Sequence, residues 1–172
     1  MNSLMGKWSE QAENMRIFHM QELKDTGYEW KKLLQDHLKE GNDRKILDVG
    51  CGTGFFALLL AQDGWKVTAI DSSEAMLDEG KKAAEELGFS DRIMFLMKDA
   101  HSTNFPEHSF DAVVSRNASW LFTDPEKAYR EWKRILKVDG MMLNIDANWM
   151  KPLWNAETFQ EFKKDEAEFI KQ

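Results

Sequence analysis

The sequence predicts an α/β fold with a doubly wound, mostly parallel sheet. Short apolar runs alternate with amphipathic segments along most of the chain, as expected of strands joined by crossover helices. Three glycines at alternate positions follow the first apolar run, and an acid follows the second. Because ligands of such sheets bind beyond the carboxyl ends of the strands, these two features mark the predicted binding edge.

Two amphipathic helices are predicted before the sheet, within residues 1–41. Apolar residues recur at helical spacing in two groups, and Gly41 ends the second group. The first group is Trp8, Ala12, Met15, His19 and Leu23, and the second is Trp30, Leu33, Leu34, His37 and Leu38.

Five strands are predicted within a core of residues 45–146. The first is the run Ile46-Leu47-Asp48-Val49 after Lys45, which is short, apolar and followed by glycines, as buried parallel strands often are. The other four are predicted at Lys66–Ile70, Ile93–Met97, Phe110–Ser115 and Met141–Ile145.

Three helices are predicted between these strands. Phe55–Ala61 forms the first, Ser72 or Ser73 caps the second, and Asp124 caps the third with Pro125 at its first position. The residues expected to face inward are Met76, Leu77, Ala84 and Leu87 in the second helix and Ala128, Trp132, Ile135 and Leu136 in the third.

Residues 147–172 are predicted to form one more helical segment and no strand. Their aromatic residues recur at roughly helical spacing, and the segment reaches Lys171-Gln172 without a stop signal. A bare fifth strand would expose unpaired backbone groups. We therefore expect a single domain over residues 1–172, truncated or unusually short, whose edge is covered by residues 155–172 or by a second copy in a homodimer. The aromatic residues are Trp154, Phe159, Phe162 and Phe169.

Composition and charge favour a small-molecule partner. A chain of 172 residues suits one core, and a net charge of −7 with a pI near 5.2 disfavours unspecific binding to nucleic-acid phosphates. The longest apolar run, Phe55–Ala61, is too short to cross a membrane, and no apolar leader opens the chain. The sequence therefore predicts a cytoplasmic protein without a membrane partner.

No metal site is expected. Cys51 is the single cysteine, which excludes an internal disulfide, and the four histidines lack the spacing of zinc ligands. The histidines are His19, His37, His101 and His108.

The loop between the first strand and the first helix of the core is Asp48-Val49-Gly50-Cys51-Gly52-Thr53-Gly54. Its glycines let the backbone turn sharply and approach a ligand closely. A dinucleotide fingerprint would place its third glycine at Phe55, which disfavours a pyrophosphate ligand. Asp71, expected to be an exposed acid at the end of the second strand, can accept hydrogen bonds from both hydroxyls of a ribose. Together they predict a nucleoside site without a diphosphate.

These motifs resemble those of the class I S-adenosylmethionine-dependent methyltransferases, which have Rossmann-like topology. ILDVGCGTGFF is similar to their glycine-rich motif and VTAIDSSEAML to their acidic motif, and the resemblance covers about Lys45 to Asp146. Val138-Asp139-Gly140 replaces the commoner Pro-Gly-Gly turn, and the strand pair that ends the family fold has no counterpart here. The resemblance implies S-adenosyl-L-methionine as cofactor and S-adenosyl-L-homocysteine as product.

The resemblance also implies roles for individual residues. The loop backbone would hold the methionine portion of the cofactor, Asp48 would anchor the loop or reach the amino group, and Asp71 would bind the ribose. Ser72 and Met76 would border the adenine. The remaining implied cofactor residues are Gly50, Cys51, Gly52, Thr53 and Gly54 in the loop, Asp99 and Ala100 at the adenine, and Asn117 at the sulfonium end.

Several of these residues have plainer alternatives. Met76 could be core packing and Asp99 a loop cap. Arg16, on the first helix, is a further candidate for the methionine carboxylate.

The residues after the fourth strand are candidate acceptor contacts. They are Arg116 and Trp120; alternatively, Arg116 pairs with a surface acid and Trp120 closes the core. His101 and His108, with no visible partner, are expected to be solvated loop residues.

The predicted function is methyl transfer to a small-molecule acceptor by in-line displacement. The sulfonium is already an activated leaving group, so no catalytic base is assigned. One alternative is a domain that binds the cofactor without catalysis, as a sensor or assembly subunit. A more distant one is a nicotinamide-dependent oxidoreductase, which Phe55 disfavours.

Overall fold

The computed structural model describes residues 9–38 and 44–147. These residues form a five-stranded, all-parallel sheet in the order β3-β2-β1-β4-β5, with helices on both faces. The predicted α/β fold with a doubly wound sheet is therefore confirmed.

The strands and helices alternate as the sequence pattern predicts. The helices are α1 (Ala12–Asp25), α2 (Gly27–His37), α3 (Phe55–Gln62), α4 (Glu74–Glu86) and α5 (Pro125–Ile135), with a 3-10 turn at Ser119–Leu121. The strands are β1 (Lys45–Val49), β2 (Lys66–Asp71), β3 (Ile93–Met97), β4 (Phe110–Arg116) and β5 (Leu136–Ile145).

The sheet separates two apolar cores. On one face, α3 is buried along almost its whole length and packs with α2 and α4; on the other, Trp132 and Ile135 of α5 are fully buried against β1 and β4. Successive strand residues point to opposite faces, which explains why the central strands are apolar without alternation.

The predicted starts of α4 and α5 are confirmed. Ser73 caps α4 by accepting a 3.4 Å hydrogen bond from Met76 N, and Asp124 caps α5 by accepting one of 2.9 Å from Lys127 N. Pro125 occupies the first turn of α5, where its missing N–H costs nothing.

The fifth strand begins earlier than predicted. We expected Met141–Ile145, but β5 starts at Leu136, which pairs with Phe110, directly after α5. The register then shifts, so that Met141 pairs with Ala112 and the intervening residues bulge out. The Val138-Asp139-Gly140 turn lies within this bulge, with Asp139 at φ 64°.

Some predictions concern residues 1–8, 39–43 and 148–172, which lie outside the described residues. They include Trp8, Gly41 and the helix containing Trp154, Phe159, Phe162 and Phe169. Within the described sheet β5 is outermost, and the cover predicted for its edge stays a prediction. Among residues 9–38 and 44–147, no helix has the length and apolarity needed to cross a membrane.

Two helical glycines differ in the space around them. A Cβ on Gly80 of α4 would lie 2.7 Å from Phe95 Cε1 and 3.3 Å from the backbone of Thr53, whereas one on Gly27 of α2 would meet Leu59 Cδ2 at an ordinary 3.6 Å. The close approach of α4 to β3 therefore depends on Gly80.

We predict that Gly80→Ala destabilises the fold by about 1–3 kcal/mol, although alanine favours helices, because the added methyl overpacks this contact. Gly27→Ala is the matched control, expected to be neutral or stabilising by up to about 1 kcal/mol. Urea unfolding monitored by circular dichroism measures both variants. Equal effects of the two substitutions would contradict the packing argument.

Candidate functional site

The glycine loop begins at a buried carboxylate. Asp48, near the end of β1, is 2% exposed, and its Oδ2 accepts a 3.1 Å hydrogen bond from Ala57 N in the first turn of α3. The N-terminal N–H groups of a helix lack partners within the helix, so this acid satisfies one of them. Asp48 thus ties β1 to α3 across the loop.

Asp71, at the end of β2, holds the loop from the other side. Its Oδ2 accepts from Gly52 N and its Oδ1 from Ser73 N, both at 2.9 Å. The expectation of an exposed acid is therefore wrong: Asp71 is partly buried because the loop folds onto it. Ser72 N also acts on this carboxylate, and the two oxygens together keep some unused acceptor capacity.

Two glycines of the loop meet neighbouring elements. Gly50 has φ +65°, and a Cβ there would lie 2.4 Å from Ala118 Cβ, just after β4. Gly54 has φ +86°, and its Cβ would lie 3.1 Å from the Phe95 ring. Both positions need a residue that adopts the left-handed conformation without a side chain. The loop is therefore enclosed by the segment that follows β4 and by β3.

Burial raises the pKa values of the two acids and of the cysteine thiol in this region. Burial raises the pKa of Asp48 to about 7, assisted by the nearby Asp71 charge and opposed by the Ala57 hydrogen bond. Burial also raises the pKa of Asp71, against the hydrogen bonds from Ser73 and Gly52. The Cys51 thiol has its pKa raised by burial and by both acids, which disfavours a thiolate nucleophile.

Helix α1 contacts the loop through a residue that the sequence did not single out for this role. His19 Nδ1 and Thr53 Oγ1 form a 2.8 Å hydrogen bond, and Thr53 is fully buried. Burial, with the charge of Arg116, lowers the pKa of His19 to about 4, so its imidazole is neutral near pH 7. The sequence signal was only a histidine on the apolar face of a predicted helix.

Arg116 lies under α1 and is not open to a ligand. Its two terminal nitrogens contact the Glu22 carboxylate at 3.1 and 2.5 Å, and its guanidinium lies 4.5 Å from the Trp30 ring centre and 4.2 Å from that of Phe55. Its side chain is 14% exposed. The structure thus favours the alternative in which Arg116 pairs with an acid, except that this acid is also largely buried.

The residues after β3 form a hydrogen-bonded turn. Asp99 Oδ1 accepts from His101 N at 2.9 Å and contacts His101 Nδ1 at 2.6 Å, while Ala100 O accepts from Trp132 Nε1 at 3.1 Å. The expectation that His101 is a solvated loop residue is wrong: its side chain is 15% exposed, contacts Asp99 and packs edge-on against Phe122. Asp99 has the geometry of the loop-cap alternative, and 62% of its side chain remains exposed.

The residues after β4 lie at the open rim. Asn117 has φ 54°, donates its N–H to Ile145 O at 2.8 Å and accepts at Oδ1 from Ala147 N at 3.0 Å. Trp120 is 44% exposed and donates to Asn117 O, so the alternative that it closes the core is wrong.

The remaining candidates lie around α4. Met76 is 5% exposed, as the packing alternative predicts, and Ser72 is exposed beside Asp71. Arg16 pairs with Glu79 at 2.8 Å and Glu86 at 2.6 Å, which occupies it away from the loop.

Two other expectations concern histidines and metals. His108 is exposed in a loop, as expected of a solvated histidine, and its Nδ1 also contacts Leu136 O at 2.8 Å. In the part of the chain that the structure describes, no group of three metal-ligating side chains is present.

Residues 47–144 match the model of a protein family described as a methyltransferase domain. Over 152 residues the chain is 29% identical to a demethylmenaquinone methyltransferase of Bacteroides fragilis, covering 82% of this chain and 62% of the relative.

Two solved structures have a similar fold. The [4+2]-cyclase SpnF is 32% identical with a TM-score of 0.63, covering 67% of this chain and 43% of the cyclase. The geranyl diphosphate C-methyltransferase of Streptomyces coelicolor A3(2), solved with S-adenosyl-L-homocysteine, is 26% identical with a TM-score of 0.63, covering 69% of this chain and 43% of that enzyme. The chain thus spans about half the length of the proteins it matches.

We predict a pH-dependent effect of Asp48→Asn. An acid whose pKa is higher in the folded than in the unfolded chain binds its proton more tightly when folded, so Asp48 favours folding as the pH falls from about 7 toward 3.8. The uncharged variant lacks this dependence. The free energy of unfolding of Asp48→Asn minus that of the wild type should therefore decrease from pH 8 to pH 5.

The matched control is Glu131→Gln. The hydrogen bond from Arg134 lowers the pKa of Glu131 to about 2, against desolvation and with help from Thr103, so this acid is ionised in both states above its ordinary pKa of 4.5. The free energy of unfolding of Glu131→Gln minus that of the wild type should stay constant between pH 5 and 8. Urea unfolding across this range measures both, and a pH-independent Asp48→Asn difference would contradict the burial argument.

Proposed function

We infer the function from the family to which the chain belongs, the class I S-adenosylmethionine-dependent methyltransferases. We propose that it binds S-adenosyl-L-methionine at the carboxyl edge of the sheet. It then transfers the methyl group to a small-molecule acceptor and leaves S-adenosyl-L-homocysteine.

The observation that carries this proposal is the junction of Asp71 with the glycine loop. Asp71 accepts hydrogen bonds from Gly52 N and Ser73 N, with Ser72 N as a third nearby donor, which leaves part of its acceptor capacity unused. Two vicinal ribose hydroxyls can donate to its two oxygens, and charge-assisted hydrogen bonds of this kind are strong. The same contacts that order the loop therefore orient the carboxylate toward a nucleoside.

The rest of the cofactor would follow the strand ends on either side. Asp99 and Ala100, after β3, would contact the adenine, with Ser72 and Met76 on its other border. Gly50 to Gly54 would surround the methionine portion through their backbone, and Asn117 would lie at the sulfonium. Asp48 is already bonded to Ala57 N, which supports the anchoring role over contact with the amino group.

Methyl transfer does not require a side chain to act as a nucleophile or as a base. A lone pair of the acceptor attacks the methyl carbon in line, the carbon–sulfur bond breaks, and its electrons remain on sulfur as a neutral thioether. Holding the two reactants in this alignment lowers the barrier by roughly 7–11 kcal/mol in favourable cases. We assign the protein the tasks of alignment and exclusion of water.

The net charge of the chain and the names of its relatives both support a small-molecule acceptor. The net charge of −7 disfavours nucleic acid, and the two methyltransferases described above are named for demethylmenaquinone and geranyl diphosphate. Trp120, exposed at the rim beside Asn117, is the candidate acceptor contact that the structure favours over Arg116.

The alternative functions have weaker support. The first alternative is a sensor or assembly subunit that binds the cofactor without catalysis; its only support is that one similar structure is named a [4+2]-cyclase, so the fold alone does not require methyl transfer. A nicotinamide site is disfavoured because Phe55, at the third glycine position of the dinucleotide fingerprint, is buried against Trp30 and Arg116.

Location and assembly complete the proposal. We propose that the protein acts in the cytoplasm and that two copies associate through β5. This strand is outermost in the described sheet and exposes Val138 and Met141.

We predict that S-adenosyl-L-homocysteine stabilises the protein and that NAD does not, because the loop lacks the dinucleotide glycine spacing. At a hundredfold excess over the dissociation constant, linkage gives about 2.7 kcal/mol of stabilisation. Thermal unfolding with each ligand measures this. A shift with NAD alone would overturn the proposed cofactor.

We predict that Asp71→Ala lowers affinity for S-adenosyl-L-homocysteine by at least about tenfold, because two ribose hydrogen bonds are lost. It should also destabilise the fold by about 1–3 kcal/mol, since Gly52 N and Ser73 N lose their acceptor.

Asp124→Ala is the matched control, because it also removes a carboxylate that accepts from a backbone N–H, at the start of α5. It should cost about 1 kcal/mol of stability and leave affinity unchanged. Calorimetric titration of both variants separates the two effects, and equal affinities would show that the ribose lies elsewhere.

A further inference from the structure

A polar cluster lies between the carboxyl ends of β4 and β5 and helix α5. Asn144 Nδ2 donates to Asp146 Oδ2 and Tyr129 Oη, both at 3.1 Å, and contacts Ser119 Oγ at 3.2 Å. The Ser119 hydroxyl also donates to Asp146 Oδ2. Asn144 faces α5, as its contact with Tyr129 shows, and Asp146, just after β5, lies on the same side because it accepts from Asn144.

Three atoms of this region have unused hydrogen-bonding capacity. Asn144 Oδ1, Asp146 Oδ1 and Ser115 Oγ are buried and have no hydrogen-bond partner among the residues that the structure describes. Ser115 is fully buried and is the register partner of Asn144 on the neighbouring strand. It lies two residues after Val113, which packs against α5, so its side chain points to the same face. We call these three residues, with Ser119, the Asn144 recess.

These three buried atoms without hydrogen-bond partners are unusual and need an explanation. Buried polar atoms are nearly always paired, because an unpaired one forfeits its hydration without compensation. Turning the Asn144 amide over does not remove the anomaly: its oxygen would then face the Asp146 carboxylate, and its N–H₂ would be left unpaired instead. A ligand is one source of the missing partners.

The recess adjoins the position that the proposed function gives to the reacting end of the cofactor. Asn117 donates to Ile145 O and accepts from Ala147 N, so the segment after β4 is tied to the end of β5 at the same edge. The inference rests on the proposed function at this point. Because the unused atoms are shielded from solvent, a ligand needs a local opening, and the short Ser119–Leu121 turn is the bordering element with exposed residues.

The chemistry of the unused atoms defines the ligand group. A carboxylate oxygen and an amide oxygen only accept hydrogen bonds, and a serine hydroxyl both accepts and donates. We propose that the Asn144 recess binds a hydroxyl or amino group of the methyl acceptor, with Asp146 and Asn144 as residues that determine acceptor specificity. An ether, ester or hydrocarbon at the same place would leave both oxygens unpaired and would be rejected.

The test compares probes that differ only in donor capacity. Benzyl alcohol and benzylamine carry donors, and benzyl methyl ether is a close analogue without one. Saturation-transfer NMR on the full chain measures their dissociation constants, with and without S-adenosyl-L-homocysteine. We expect the wild type to bind at least one donor probe at least about tenfold more tightly than the ether. The alcohol and the amine together decide which donor is preferred.

Asp146→Asn tests the assignment of the recess. In the variant, the amide oxygen takes the place of Oδ2 and keeps the contacts with Ser119 and Asn144. The amide N–H₂ then takes the place of the unused Oδ1, so the recess presents hydrogen-bond donors where the wild type presents an acceptor. The preference for donor probes should therefore be lost. Asp139→Asn, the same change at an exposed position of β5, should keep the preference. Ser115→Ala removes an unpaired hydroxyl, so it should fold normally and bind donor probes more weakly.

The outcomes are distinct from those of the cofactor proposal. Failure of S-adenosyl-L-homocysteine to bind the wild type would contradict the proposed function, while the donor preference is still measured on the free protein. The recess is overturned if the wild type binds no probe or shows no preference for donors. It is also overturned if Asp146→Asn keeps the preference, as expected if only a buried water satisfies these atoms.

Discussion

The contact of Asp71 with Gly52 N is the interaction on which the binding edge depends. It joins the end of β2 to the middle of the glycine loop, while Cys51 N donates to Ile70 O and extends the β1–β2 pairing into the loop. Asp48 completes the frame by holding α3. A loop fixed in this way loses little conformational freedom when a ligand binds, which favours affinity. The desolvation of one buried and one partly buried carboxylate opposes folding, and hydrogen bonds from three backbone N–H groups offset it.

The N-terminal helices are part of this edge. His19 reaches Thr53 inside the loop, and Glu22 reaches Arg116 at the end of β4, so α1 spans the two strand ends between which the cofactor is proposed to lie. The stacking of Arg116 on Trp30 and Phe55 adds α2 and α3 to the same cluster. The site is therefore better described as a product of the whole fold than of one motif.

The sequence predicted what is encoded locally. Apolar runs and helix caps located β1 to β4 and the starts of α4 and α5, because strand burial and capping depend on neighbouring residues. The start of β5 was missed because the pairing of Leu136 with Phe110 is a tertiary contact with a bulge beside it. Contacts between residues far apart in the chain likewise produce the burial of Asp71, the Arg116–Glu22 pair and the unpaired atoms at Asn144. Periodicity and motif spacing carry no information on such contacts.

A crystal structure of the protein with S-adenosyl-L-homocysteine tests the central claim most directly. The account predicts that both ribose hydroxyls lie within hydrogen-bond distance of the Asp71 oxygens, that Gly52 N and Ser73 N keep their bonds to them, and that the loop backbone surrounds the homocysteine. A ribose bound away from Asp71, or an Asp71 that turns from the loop to reach it, would contradict the claim that one carboxylate both orders the loop and recognises the nucleoside.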